Sequence, residues 1–561
     1  MTRRKNQSRR AFGQTPRLAN LAAAIAVAVP GAAQAFEIPT DNPDLAVRFD
    51  NTIRANYGLR VESRDPKIGN SVLADEGDYR FDNNDAVAKR IDLLSELDIV
   101  YRKRYGMRVS GAAWYDGAYS SGNSGFNPAF ANLSSYINHQ YSDTTKRLYR
   151  GPNGEILDLF VFGAADLGDV PVRAKLGRHT VYWGESLLLG GHLHSVSYAQ
   201  VPLDLQKGFA TPGTEAKELF RPLNQLSAQA QLTDTLSLSA QYLFEWAPAR
   251  YPEGGTYLGP VDFVFNGPNR QFLSPALGFA SNAGAVEPRQ TGEYGVSARW
   301  SPNWLDGTVG VYYRSFADKL PQVLLTKVGP QVSQYNLIYA DDIKLYGASI
   351  TKNIFGVSTS AEISYRENTP LNSQTLGVAP GLPERGDTKG ARGDTWHAVF
   401  NAIGTVAKTP VFDSASWIAE LSASRWVTVR SGANLFNAIG YAPCNGKDKW
   451  DGCVTKNYAG IGVGFTPNWY QVWPGVDLSA PVTYAIGLTG NAATTFGGNQ
   501  GLGNYTIGVS ADVQQKYRFD LKYVDFVGHY KDNGTAVTAV NGLTTYLKDR
   551  GFLSLTFKTT F

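Results

Sequence analysis

Cysteine and methionine are nearly absent from this 561-residue chain, with two of each. Charged side chains are sparse as well. Asp, Glu, Lys and Arg make up 18%, where a globular chain averages roughly 25%. Two cysteines exclude a disulfide-framed secreted module and a multi-cysteine metal protein. The balance of 53 basic against 49 acidic residues, with no Lys/Arg run beyond the N-terminus, excludes a phosphate-tracking surface, so no nucleic-acid partner is expected. Long apolar runs are missing too. Past the N-terminus nothing approaches the roughly 18 residues that carry a helix across a bilayer. Aromatics at 12% and plentiful β-branched residues exclude a disordered chain. A large all-β protein remains.

What is present begins with an export signal. Arg3, Arg4, Lys5, Arg9, Arg10 and Arg17 form a basic segment, and Leu18 to Val29 is an apolar stretch too short to span a bilayer. Ala33-Gln34-Ala35 fits the small-x-small rule for cleavage, so residues 1–35 are expected to be a signal peptide and 36–561 the mature domain. Ser8-Arg9-Arg10-Ala11-Phe12 partly matches a twin-arginine signal. That route carries folded cargo, which a lipid-facing barrel cannot be, so Sec export is expected.

Alternation with a period of two recurs in segments of about ten residues. From Leu45 to Arg60, Leu45, Val47, Phe49, Ile53, Tyr57 and Leu59 share one face, and Arg48, Asp50, Thr52, Arg54, Asn56 and Arg60 the other. Arg90 to Tyr105 and Leu226 to Trp246 repeat the pattern. A soluble sandwich alternates in the same way; the connections separate the two. Short links near Lys103-Gly106, Asp166-Asp169, Thr233-Asp234, Pro302-Gly307, Lys352-Gly356, Lys408-Ser414, Pro467-Gly475 and Asp512-Gln515 alternate with long segments. This is the organisation of a transmembrane antiparallel up-and-down β-barrel, with short periplasmic turns and long external loops. Counting predicts about 16–18 strands.

The last strand places Leu553, Leu555, Phe557 and Phe561 on one face. A terminal aromatic after such alternation resembles the assembly signal of outer-membrane barrels, with Phe557 and Phe561 in that role. The resemblance implies the barrel assembly machinery and outer-membrane lipid as partners, and the outer membrane of a Gram-negative cell as the location.

Further segments resemble a proteobacterial outer-membrane family, the domain of unknown function numbered 1302. They are Val47-Arg48-Phe49-Asp50-Asn51-Thr52, Gly77-Asp78-Tyr79-Arg80-Phe81-Asp82, Arg90-Ile91-Asp92-Leu93, Gly177-Arg178 with Tyr182-Trp183-Gly184-Glu185-Ser186, and Glu253-Gly254-Gly255-Thr256-Tyr257. The resemblance implies a barrel accompanying a periplasmic lipid-carrier-like protein and an inner-membrane exporter. It thereby implies trafficking of hydrophobic or lipid-like compounds, and it supplies no catalytic residues.

Candidate site residues fall into three groups. The polar faces of the first strands carry Arg48, Asp50, Arg54, Asp92, Glu96, Asp98, Arg102, Arg104 and Arg108. Charges facing a lumen can orient a permeant solute or pair across strands and hold the wall together. The long segment from Tyr182 to Pro222 opens on Trp183 and Glu185 and continues through Leu187, Leu188 and Leu189. These apolar residues fit a constriction folded into the lumen, or packing against the rim. Cys444 and Cys453 are expected to close one external loop as a disulfide.

Other features carry less. His192 and His194, near His179 and Glu185, lack a third ligand at defined spacing, so no metal site and no cofactor are expected. No Gly-x-Ser-x-Gly occurs, and no enzyme is expected. Arg385-Gly386-Asp387 and Arg392-Gly393-Asp394 repeat an integrin-type tripeptide in what is expected to be one external loop. The reading is therefore an outer-membrane channel or transporter moving hydrophobic or lipid-like small molecules. Its rivals are a general diffusion porin for hydrophilic solutes, and a surface adhesin or outer-membrane hydrolase.

Overall fold

The computed structural model describes residues 36–211, 214, 216–328, 331–374, 377–379, 381–384 and 389–561. The expected signal peptide, residues 1–35, lies outside them, as does Arg385-Gly386-Asp387. The main sheet contains 20 hydrogen-bonded strands. One is the three-residue Phe36–Ile38, an addition beside the first barrel strand, and two others are halves of one interrupted strand. Eighteen strands form the closed wall.

In chain order the wall is β1 Leu45–Arg60, β2 Ala86–Tyr101, β3 Tyr105–Asp116, β4 Asn153–Leu167, β5 Val170–His179 and β6 Leu223–Gln231. Next come β7 Leu236–Leu243, β8 Tyr294–Trp300, β9 Gly307–Phe316, β10 Ile343–Ile354, β11 Val357–Pro370 and β12 Arg392–Val406. The ring is completed by β13 Ser414–Ser431, β14 Asn457–Trp473, β15 Val476–Ser479 with Val482–Thr489, β16 Gly503–Val513, β17 Tyr517–Val527 and β18 Phe552–Thr560. Neighbours in sequence pair antiparallel throughout, and β18 returns to β1 from Thr52↔Thr560 to Arg60↔Phe552. The break in β15 falls at Ala480-Pro481, where proline has no N–H to give the ladder. Short turns join one end and long connections the other, in strict alternation.

The burial pattern is inverted relative to a water-soluble protein. On β1, Thr52, Arg54, Asn56 and Arg60 are buried inside the ring, while Ile53, Tyr57 and Leu59 face outward. Around the ring Ile91, Val161, Ile363 and Leu521 are each about half exposed. A belt of this kind, with the polar groups sequestered inside, has a favourable environment only in lipid. Aromatics gather at its rims. Tyr294, Tyr313 and Tyr346 form a row on adjacent strands, with ring centroids 6.0 and 5.2 Å apart, and Trp300 meets Trp304 near the turn end.

Two expectations are corrected. Arg102 and Arg104 belong to the β2–β3 turn, Arg102 at φ +51°, because the chain reverses one residue earlier than its alternation implies. They stand at the turn end of the barrel, not on its wall. Arg392-Gly393-Asp394 opens β12 with Arg392 and Asp394 buried, since the strand begins inside the segment that composition marks as loop.

The long connections fold over their end of the barrel as a cap with a core of its own. Strands Arg270–Ser274, Gly278–Val286, Gln322–Val328, Gln331–Ile338 and Gly377–Val378 make a second sheet. Trp246, Phe263, Phe265, Tyr335, Leu337 and Tyr339 pack together there. Two of the resemblance segments meet in this cap. A Cβ at Gly77 would collide with the Thr256 carbonyl, and Arg550 donates to the carbonyls of Tyr257, Gly259 and Ala74 at 2.8–3.0 Å.

Candidate functional site

The described residues of the connection between β5 and β6, 180–211, 214 and 216–222, descend into the barrel and cross it. The first half lies against β8–β14. Glu420 on β13 accepts from the N–H groups of Leu187 (2.6 Å), Leu188 and Gly191 (3.1 Å each). Glu362 on β11 accepts from the Glu185 N–H at 2.7 Å and from the Val196 N–H. Asn401 donates to the Glu185 carbonyl, Arg366 to Ser195 (3.0 Å) and Arg314 to Tyr198 (2.8 Å). Gly295, Gly347 and Gly462 sit at inward wall positions where a Cβ would strike Trp183, Val196 and Leu188. The wall is hollowed where this strap seats.

The second half lies against β1 and its neighbours, on the far side of the ring. Arg54 on β1 makes a two-pronged contact with Glu218 at 2.9 and 3.1 Å, and Lys207 reaches the same carboxylate at 2.9 Å. Asn56 donates to the Ala210 carbonyl. Arg250 joins Asp204 of the strap (2.9 Å) to Glu155 of β4 (2.7 Å). Successive donors and acceptors thus tie one segment to opposite walls. Leu188 fills the hollow at Gly462, whereas Leu187 and Leu189 remain 41% and 37% exposed.

Each charged wall candidate is in an ion pair. Arg48 meets Asp50 at 2.8 Å, and Asp92 holds Arg90 at 2.8 Å with Arg54 at 3.8 Å. Arg108 gathers Glu96, Asp98 (2.8 Å) and Asp158 (3.3 Å). Arg102 pairs with Asp44 and Arg104 with Asp166.

The strap histidines bond within the protein. His194 Nε2 donates to the Gly497 carbonyl at 2.7 Å, which leaves its Nδ1 to accept from His397 Nδ1 at 3.0 Å. His397 Nε2 then accepts from the Thr395 hydroxyl at 2.8 Å. Burial pushes His192 and His194 down to about 3, so both are neutral. His192 Nδ1 lies 2.8 Å from Ser197 Oγ. Both residues are enclosed, and among the described residues no carboxylate bonds to that imidazole. Among them also, no group of three His, Cys, Asp or Glu side chains is arranged to hold a metal ion.

Below the strap, toward the turn end, lies a cavity of about 820 Å³. Trp183 and Val181 roof it, and β4–β7 form its side. Elsewhere, Cys444 and Cys453 are joined by a disulfide in the β13–β14 connection. Phe557 packs outward on Tyr517 and Phe519. Phe561 exchanges both backbone hydrogen bonds with Asn51, at 2.7 and 2.9 Å.

Sequence reasoning missed the wall partners of the strap: Glu362, Arg366, His397, Asn401 and Glu420. All sit on inward positions of clearly alternating strands. A polar side chain long enough to cross to another element was the available signal.

A family described as "Protein of unknown function (DUF1302)" matches residues 17–561. No curated protein matches the chain. Among solved structures, Pseudomonas aeruginosa OpdK with vanillate is 9% identical, with a TM-score of 0.37 over 92% of this chain and 98% of that one. Pseudomonas aeruginosa OccD3 (OpdP) is 12% identical, with a TM-score of 0.39 over 96% of each chain. A BenF-like porin from Pseudomonas fluorescens Pf-5 is 9% identical, with a TM-score of 0.39 over 92% and 98%.

Proposed function

The chain belongs to the DUF1302 family, and from that premise we propose that it is an outer-membrane channel passing small hydrophobic or lipid-like molecules. The signal-like N-terminus and the barrel together support export and insertion there. The family resemblance supports a periplasmic lipid-carrier-like protein and an inner-membrane exporter as its partners. The observation that carries the cargo reading is the strap, which crosses the lumen with Leu187 and Leu189 left partly exposed on it. An ion passing these apolar side chains loses water that they cannot replace. An apolar solute loses little and gains roughly 25 cal/mol per Å² buried.

Planar-bilayer recording tests this. The wild type is expected to show small or no steady conductance, and deletion of residues 185–205 to open a large water-filled pore. A large wild-type conductance unchanged by the deletion overturns the reading in favour of a diffusion porin for hydrophilic solutes.

A further inference from the structure

The cavity beneath the strap is chemically lopsided. Its lining includes Arg102, Lys103, Arg104, Arg173 and Lys175 against one carboxylate, Asp166. Arg102 is engaged by Asp44 and Arg104 by Asp166. Arg173 and Lys175 differ. They occupy successive inward positions of β5, both are exposed to the lumen, and neither makes an ion pair among the described residues. Their cross-strand neighbours are uncharged: Ala164 and Phe162 on β4, Gln229 and Ser227 on β6.

The apolar side of the same cavity is equally defined. Phe162 and Trp183 line it, and Phe160, one inward step from Phe162, lies 5.2 Å from the Lys175 ammonium. Most other wall charges are consumed in pairs, as the Arg108 and Arg54 clusters show. Lys103 is likewise unpaired among the described residues but belongs to the β2–β3 turn. Arg173 and Lys175, in contrast, stand on the wall beside an aromatic surface and form a site for one anionic group joined to an apolar body.

We propose that this cavity binds anionic amphiphiles, with Arg173 and Lys175 holding a single carboxylate or phosphate head and Phe162 and Trp183 covering the apolar chain. The proposal deepens the channel reading and rests on it. It narrows the cargo from hydrophobic molecules in general to those bearing one negative head. Both cations are reachable by water, so the head-group preference weakens with added salt.

Equilibrium titration of the full barrel in nanodiscs tests it, with empty nanodiscs subtracted. The probes are decanoate, monodecyl phosphate, decanol, decyltrimethylammonium and butyrate. At low salt one or both anionic decyl probes are expected to bind about tenfold more tightly than decanol, the size of effect two water-accessible charge contacts give. The tighter of the two identifies the head group. Arg173→Gln with Lys175→Gln should abolish that preference and leave decanol binding unchanged, while Arg173→Lys with Lys175→Arg should retain it. Heat-modifiable mobility confirms that each variant is folded. Equal binding of decanoate, phosphate ester and decanol by the wild type overturns the proposal. So does tighter binding of the quaternary amine, butyrate binding as well as decanoate, or a preference that survives the double glutamine variant. The channel reading fails separately, through conductance that ignores the strap.

Discussion

At the scale of single residues, Glu420 is the most consequential wall side chain, because one carboxylate satisfies three strap N–H groups. Each buried donor left without a partner costs about 1–3 kcal/mol. Glu420→Ala is therefore expected to free the first half of the strap and raise open-channel conductance and noise, with the barrel still heat-modifiable. Wild-type traces from that variant would remove the anchoring role. A second residue-scale consequence concerns pH. Burial pushes the Glu253 carboxyl up to about 7. Asp75, Asp262 and Asp549 also lie above their ordinary range, burial being the largest cause, with Asp262 adding to the shift of Asp75 and Asp78 to that of Asp549. A raised carboxyl favours the packed cap while protonated. That contribution is fully present below the free value near 4.5 and is lost as pH rises through about 7. Segments 69–81 and 253–263 should thus exchange amide hydrogens faster at pH 9 than at pH 5, after correction for intrinsic rates. Equal protection at both would count against it.

At the scale of elements, the strands were legible and the loops were not. Leu45 to Arg60 announces β1 because lipid and lumen impose opposite chemistry on successive residues. The same rule located the eight short turns, the reversal at Arg102 being one residue early. The cap sheet and the partners of the strap depend on contacts between segments far apart in sequence, such as Glu362 with Glu185, which no local period encodes. Two predictions belong here. Reducing the Cys444–Cys453 bridge, nine residues apart, should loosen only the β13–β14 connection, by about 2–3 kcal/mol in the chain-entropy account. Limited proteolysis with and without reductant reads this, and cleavage spreading to other loops would contradict it. Phe561→Asp should lower the yield of heat-modifiable barrel, since it puts a charge on the outward, lipid-facing side that Leu555 and Phe557 share with it. Normal assembly of that variant would detach Phe561 from the insertion step.

At the scale of the whole molecule, an 18-strand ring is wide enough to need filling, and this chain fills it with its own connections. The cap roofs one end and the strap divides the interior, and the cavity lined by Arg173 and Lys175 lies toward the turn end. The strap has one more consequence. Held by Arg54 and Asn56 on one side and by Glu362 and Glu420 on the other, it works as a cross-tie. A cylinder under uneven side pressure flattens along the direction in which nothing spans it. Here one diameter is braced, so bilayer compression should deform the ring along the unbraced axis and leave the strap's own geometry unchanged.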